Sequence, residues 1–363
     1  MPLTEDRRAL HRIPELDRCL PQTMAYLRAA LEPLRCALSS PIESSLCAYF
    51  DFGAQTTIAF RSDADALPIA EATGVEFASQ HPGCMHACGH DGHMAMLLEL
   101  ARRLNARPAL KNNVLLVFQP AEETTGGARD ICQSGVLQAH GVEAIFGIHL
   151  WPDLPAGVVA SRRSELMSRS CEITVDITGR SSHIAKAEQG VDALAAGVEY
   201  YRRAAALEAS LPASVYRLCK FGRMESGTVR NAVSGRTHLE GTLRAYQDEV
   251  FYALLEGLRR IGREVEAETG CAVALTTSEG YPAVINPPAL YDHLKNDCGI
   301  AFAPLEKPVM ITEDFSWYQQ YLPGMFFFLG TGPSPALHAA DFNFDESILQ
   351  NGAALFEQIA ERY

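Results

Sequence analysis

The chain has 363 residues, 47% of them apolar, and its 31 Lys and Arg against 44 Asp and Glu give a net charge of −13. That balance opposes binding to a polyanion and argues against nucleic acid as a partner, while the length favours two domains over one core. Charged side chains recur between Glu5 and Glu15, where a signal peptide would need an apolar core, and no apolar run approaches membrane-spanning length. The expected location is therefore cytoplasmic, with no membrane partner. The ten cysteines fall at irregular spacings, the pattern of reduced thiols rather than of a disulfide framework.

In chain order, Thr57-Ile58-Ala59-Phe60 reads as an apolar strand delivering Arg61-Ser62-Asp63-Ala64-Asp65. Asp91 to Arg103 reads as a helix with Met94, Leu97, Leu98, Leu100 and Ala101 on its apolar side. Cys88 and His90 would then lie in the loop where the chain enters that helix. Asn113 to Gln119 is a second strand, delivering Glu122 and Glu123, and Ala144 to Ile148 a third, ending at His149. Such alternation predicts an α/β sandwich whose functional groups sit on loops beyond buried strands. Near Ser164 the texture changes. Cys171 to Thr178 alternates like a half-exposed strand, a helical pattern runs from about Gly190 to Ala209, His238 to Arg244 is strand-like, and a helix follows from about Glu249 to Thr269. Apolar runs typical of a buried sheet resume at Val309-Met310-Ile311 and at Met325 to Leu329. The expected organisation is an α/β catalytic domain over residues 1–165 and 278–363, with an α+β domain over 166–277 inserted into it.

The stretch Met85-His86-Ala87-Cys88-Gly89-His90-Asp91-Gly92-His93, with Gln119-Pro120-Ala121-Glu122-Glu123, places thiolate, imidazole and carboxylate ligands beside a spare carboxylate. That is the inventory of a metallohydrolase: one Glu of the pair can ligate while the other stays free as a base. The residue types leave open which of the two does which. His93, inside the expected helix, reads as a supporting residue rather than a ligand.

Arg8 to Leu16, Arg61 to Pro68, His86 to His93, Gln119 to Glu123, Gly241-Thr242-Leu243-Arg244 and Glu313-Asp314-Phe315 together resemble the amidohydrolase branch of the aminoacylase/carboxypeptidase metallohydrolases. That branch includes hippurate hydrolase, auxin-conjugate amidohydrolases and N-acetyldiaminopimelate deacetylase. The resemblance implies a dinuclear-metal catalytic domain with an inserted lid and dimerisation domain. It implies Cys88, His90, Glu123, His149 and His338 as ligands of two divalent ions, zinc or manganese, with cobalt or nickel also admitted by the donor set. It further implies Glu122 as general base, Asp65 as the carboxylate orienting a metal ligand, His183 as the group polarising the scissile carbonyl, and Asn231 and Arg244 as substrate-binding residues. In such families the histidine often comes from the partner of a homodimer.

The activity so implied is hydrolysis of the amide bond of N-acyl-L-amino acids to a carboxylate and a free amino acid. N-acetyl-L,L-diaminopimelate deacetylation in lysine synthesis, a metallodipeptidase or carboxypeptidase, and a catalytically silent binding protein are the alternatives. Thr124-Thr125 before Gly126-Gly127, Ala187-Glu188 after His183 and Ile311-Thr312 before Glu313 depart from the usual family pattern on the substrate side.

Overall fold

A computed structural model describes residues 2–363. Along the chain run strands β1 (Ala37–Ser39), β2 (Leu46–Phe50), β3 (Thr57–Asp63), β4 (Asn113–Gln119), β5 (Val142–Trp151) and β6 (Val159–Ser161). They are followed by β7 (Arg169–Thr178), β8 (Arg217–Ser226), β9 (Arg236–Ala245), β10 (Ala272–Thr277), β11 (Ala303–Pro304) and β12 (Gly324–Gly330). The principal helices are α1 (Pro2–His11), α2 (Pro21–Leu31), α3 (His90–Asn105), α4 (Ala193–Ser210), α5 (Asp248–Thr269) and α6 (Leu349–Arg362). Packing divides the chain into two compact units. The first takes residues up to Leu166 with Ile285–Pro308 and Glu313–Tyr363; the second takes Met167–Val284 and Val309–Thr312.

The first unit is built on an eight-stranded mixed sheet in the order β1-β2-β4-β3-β5-β12-β6-β11. Strands β4, β3, β5 and β12 are mutually parallel and form its centre. Every residue of β3, β4 and β12 is buried, as a sheet covered on both faces requires, and this accounts for their unbroken apolar runs. Helix α3 buries Met94, Met96, Leu97, Leu98 and Leu100 in the same core, each contributing roughly 1.5–3 kcal/mol of hydrophobic stabilisation. Its start is forced by Gly89, which takes a left-handed φ of 84°. A Cβ there would also lie 2.6 Å from the Leu150 side chain, so only glycine fits the turn. The chain therefore presents His90 as the first helical residue rather than from a loop.

The second unit is a four-stranded antiparallel sheet, β10-β7-β9-β8, backed by α4 and α5. Alternation along β7 buries Cys171, Ile173, Val175 and Ile177 against those helices, where they form a separate core with Tyr200, Leu254 and Leu258. The mixed α/β architecture is the class expected from the sequence. Val309-Met310-Ile311 departs from expectation, since it forms no buried strand. It is half-buried, and Ser168 N–H donates to the Ile311 carbonyl at 2.9 Å within the second unit. Three apolar residues after Pro308 are too short a run to distinguish a core strand from such a strap.

Candidate metal centre

Three parallel strands and two loops bring the candidate residues of the first unit together. β3 carries Asp63 at its end with Asp65 beyond, β4 leads to Glu122 and Glu123, β5 carries His149, and Cys88 and His90 stand at the start of α3. This is the carboxyl end of the parallel strands, where loops can vary without disturbing the sheet. His338 comes from far along the chain, its backbone N–H held by the Ala87 carbonyl at 2.9 Å. Both Ala121, just before the glutamate pair, and His338 take left-handed backbone angles, φ 59° and 65°. Non-glycine residues hold that conformation only where their surroundings over-determine it. Behind the pair, Gly127 is fixed by crowding: a Cβ there would lie 2.1 Å from the Pro120 carbonyl oxygen.

Cys88 Sγ is the hub. It lies 3.3 Å from His149 Nε2 and 3.3 Å from His338 Nε2. His338 Nε2 is in turn 3.4 Å from Glu123 Oε1, and His90 Nε2 is 3.7 Å from the same oxygen. Two donor groups result, Cys88/His90/His149 and Cys88/Glu123/His338, each with its ligand atoms within 4.8 Å of one another and with Cys88 common to both. The imidazoles are oriented for ligation. His149 Nδ1 donates to the Leu150 carbonyl at 2.6 Å and His90 Nδ1 to the Asp65 carbonyl at 2.7 Å, so each turns a bare Nε2 inward. His90 Nε2 and Glu123 Oε1 are buried without a hydrogen-bond partner among the described residues. A donor set of thiol, imidazole and carboxylate with such orphaned atoms, buried at Cys88, His90 and His149, half-buried at Glu123 and exposed at His338, fits a pair of first-row divalent cations.

Electrostatics agrees. Burial, followed by the Glu123 and Glu122 charges, pushes the Cys88 thiol well up, so ionising it calls for positive charge nearby. Burial opposes a charge on His90, but Asp63, Glu123 and Asp65 outweigh it and raise its pKa to about 9, so the surrounding carboxylates favour positive charge at Nε2, where a cation would take the place of the proton. Glu123 falls to about 2 despite burial, through the nearby His338 and His90 imidazoles. Glu122 goes the other way: burial, then the Glu313 and Glu123 charges, hold it well above the usual glutamate range. Neighbouring glutamates with pKa values driven apart suit one as ligand and the other as proton carrier.

Asp65 reaches the candidate ligands in two ways. Its carboxylate accepts the backbone N–H groups of Glu122 and Glu123, at 2.9 and 3.1 Å, and it is its main-chain carbonyl that orients His90. His93 spends both ring nitrogens: Nδ1 donates to Asp63 Oδ1 at 2.7 Å, and Nε2 accepts the Leu150 N–H at 3.0 Å. It thus braces the strand next to His149 and has no nitrogen left for a cation. Sequence reasoning did not identify Arg61, Glu313 and Asp314 as part of this neighbourhood, although Arg61 directly follows the apolar run Ile58-Ala59-Phe60 within β3.

The remaining candidates lie in the second unit. His183 and Asn231 are adjacent there, since Ile184 N–H donates to the Asn231 carbonyl at 3.0 Å and His183 bridges Ala232. Arg244 is elsewhere, near the opposite end of β9. Its Nη1 donates to the Met310 carbonyl at 2.5 Å, while its Nε is buried without a partner among the described residues.

A profile of peptidase family M20/M25/M40 matches residues 59–362. The chain belongs to peptidase family M20/M25/M40. Members similar to it over their whole length include an uncharacterised hydrolase of Staphylococcus aureus strain USA300, 34% identical over 376 residues that cover 99% of this chain and 98% of the relative. Among solved structures, a protein from methicillin-resistant Staphylococcus aureus superposes with a TM-score of 0.93 at 26% identity, covering 99% of this chain and 96% of that one. The Bacillus subtilis YXEP protein, described as a dinuclear metal binding peptidase of family M20, superposes with a TM-score of 0.86 at 31% identity, covering 99% and 96%. With these family relatives the chain is a hydrolase.

Proposed function

We propose that the protein is a dinuclear metal-dependent amidohydrolase that cleaves N-acyl-L-amino acids to a carboxylate and a free amino acid. The observation that carries this reading is the shared Cys88 sulfur between two donor groups, with Glu122 beside them and its pKa raised. Cys88, His90, Glu123, His149 and His338 would hold two divalent cations, zinc or manganese, with cobalt or nickel also suited to the donors. Bound there, such ions supply Lewis acidity that polarises an amide carbonyl and lowers the pKa of water. Glu122 takes the proton from the attacking water and passes it to the leaving amine nitrogen, a task for which a raised carboxyl pKa is suited. Asp65 keeps Glu122 and Glu123 in register by holding both backbone N–H groups.

Arg244 supports a substrate with a free carboxylate. Its guanidinium is half-buried, lacks a carboxylate partner in the second unit, and keeps an orphaned Nε–H; burial depresses its pKa. His183 serves as an electrophile to the scissile carbonyl and Asn231 as a donor to the acyl oxygen. Both sit beyond the Arg236 end of β9, whereas Arg244 lies eight residues further along that strand, about 26 Å away at ~3.3 Å per residue. One small substrate cannot span that distance, so Arg244 and His183 meet it from different protomers of a homodimer. β8 is an edge strand, and α4 beside it exposes Leu194, Val198 and Tyr201 on one face, a surface suited to a second copy.

The test is amine release from N-acetyl, N-benzoyl and dipeptide substrates, N-acetyl-L,L-diaminopimelate among them, by protein stripped with chelator and reloaded with zinc or manganese. Metal-dependent turnover of an acyl class supports the reading. Turnover of dipeptides alone replaces it with a peptidase.

A further inference from the structure

The segments Arg61-Ser62-Asp63 and Glu313-Asp314-Phe315 have no assigned role above, yet they converge in the core behind Glu122. Arg61 is 1% exposed. Its Nε donates to Gln119 Oε1 at 2.8 Å, its Nη1 to Asp63 Oδ2 at 2.9 Å, and its Nη2 to Asp314 Oδ1 at 2.6 Å, with Glu313 Oε1 3.0 Å from Nη2. Burying so many charges costs several kcal/mol per ion, and apolar side chains of similar volume would usually stabilise a fold as well. Stability alone does not explain the cluster.

Its two acidic members from the Glu313 segment are unequal. Asp314 is an anchor, because its second oxygen also accepts Gln119 Nε2 at 2.6 Å and Ala128 N–H at 3.0 Å. Glu313 is held more lightly: its contacts with Arg61 and with the Phe315 N–H, at 3.0 Å each, both end on Oε1. A carboxylate oxygen of Glu313 also lies within 4.8 Å of one on Glu122. On the other side, Glu122 reaches the same separation from His90 and Glu123.

We propose that Glu313, braced by Arg61, is a positioning residue for Glu122. Glu122 has a flexible stem whose fixing costs up to about 2 kcal/mol of side-chain entropy. A second carboxyl at its back, itself immobilised by a buried guanidinium, is a fixed neighbour against which the Glu122 carboxyl takes its place between the core and the ligand side. Misplacing a catalytic group by about 1 Å can cost about 100-fold in rate.

The proposal rests on Glu122 being the base, and two readouts on metal-reloaded protein separate its fate from that of the substrate assignment. In crystals of Glu313→Gln and Arg61→Lys, the Glu122 carboxyl is expected to move by about 1 Å or to split between rotamers. In kinetics, Glu313→Gln is expected to lower kcat by about 10- to 100-fold, with KM and bound metal within about two-fold of the unsubstituted protein. An unmoved Glu122 in the Glu313→Gln crystal overturns the proposal, as does a variant whose kcat is unchanged or whose metal content falls in step with its activity. If the unsubstituted protein hydrolyses no acyl amino acid, that substrate reading falls, while the position of Glu122 in the crystals still decides this one.

Discussion

At the scale of single residues, ligand and base roles separate by what each side chain can no longer do when removed. Cys88→Ala takes the common sulfur from both donor groups, and the variant is expected to retain less than half of its metal on gel filtration, measured by elemental analysis. Glu122→Gln keeps the shape and leaves all five candidate ligands intact, so it should bind metal normally and lose about 10²- to 10⁴-fold in kcat. The converse result, metal lost with Glu122 and retained without Glu123, would exchange the two roles. A milder electrostatic effect is expected in the second unit, where His238 on β9 faces Asp176 across the strand pair at 3.0 Å and Glu240 at 3.2 Å. Hydrogen bonds to these two carboxylates raise its pKa. The stabilisation is thus complete below the unfolded histidine value of about 6.5 and is lost as pH rises through the raised folded value. Denaturant titration of His238→Gln should show a deficit of a few tenths of a kcal/mol at pH 6 and none at pH 9, the size expected of a surface pair.

At the scale of elements, the N-terminal helix α1 underpins the start of α3. Arg7 Nε donates to Asp91 Oδ2 at 2.9 Å and His11 Nδ1 lies 2.7 Å from the same oxygen, one residue after His90. Arg7 is further clamped by Asn343 and Glu346 and by the rings of Phe77 and Phe344. Arg7→Met should cost about 3–5 kcal/mol of unfolding free energy by leaving a buried Asp91 under-paired, readable in urea titration. Much of this architecture was legible in the chain. The runs Asn113–Gln119 and Met325–Leu329 announced buried strands, and the alternation from Cys171 a half-exposed one. What stayed hidden depended on contacts between residues far apart in sequence. The Arg61–Asp314 bond spans 253 positions, and no periodicity encodes it. That the Asp65 carboxylate holds the two backbone N–H groups of Glu122 and Glu123, while its carbonyl serves His90, shows only in three dimensions. Val309 to Ile311 misled because three apolar residues fit a strand and a strap equally well.

At the scale of the whole molecule, the proposed division of labour between protomers makes a direct test available. Mixing His183→Ala with Glu122→Gln, each inactive alone, should restore about a quarter of the original activity after subunit exchange. Half the dimers are then mixed, and each carries one complete site. No recovery would mean that His183 acts within its own chain. No helix among the described residues is long and apolar enough to cross a membrane. The candidate ligands also differ in their access to solvent. His338 is 52% exposed on a segment tied back through the Ala87 carbonyl, whereas His90 and His149 are buried. The two cation positions should therefore exchange at different speeds. Under excess chelator, metal release is expected in two phases, the ion on the His338 side leaving first. His338→Ala should accelerate or abolish the first phase while the second, slow phase keeps its rate. Between the phases the protein would hold one cation, a half-loaded species that a cell poor in metal could accumulate without unfolding it.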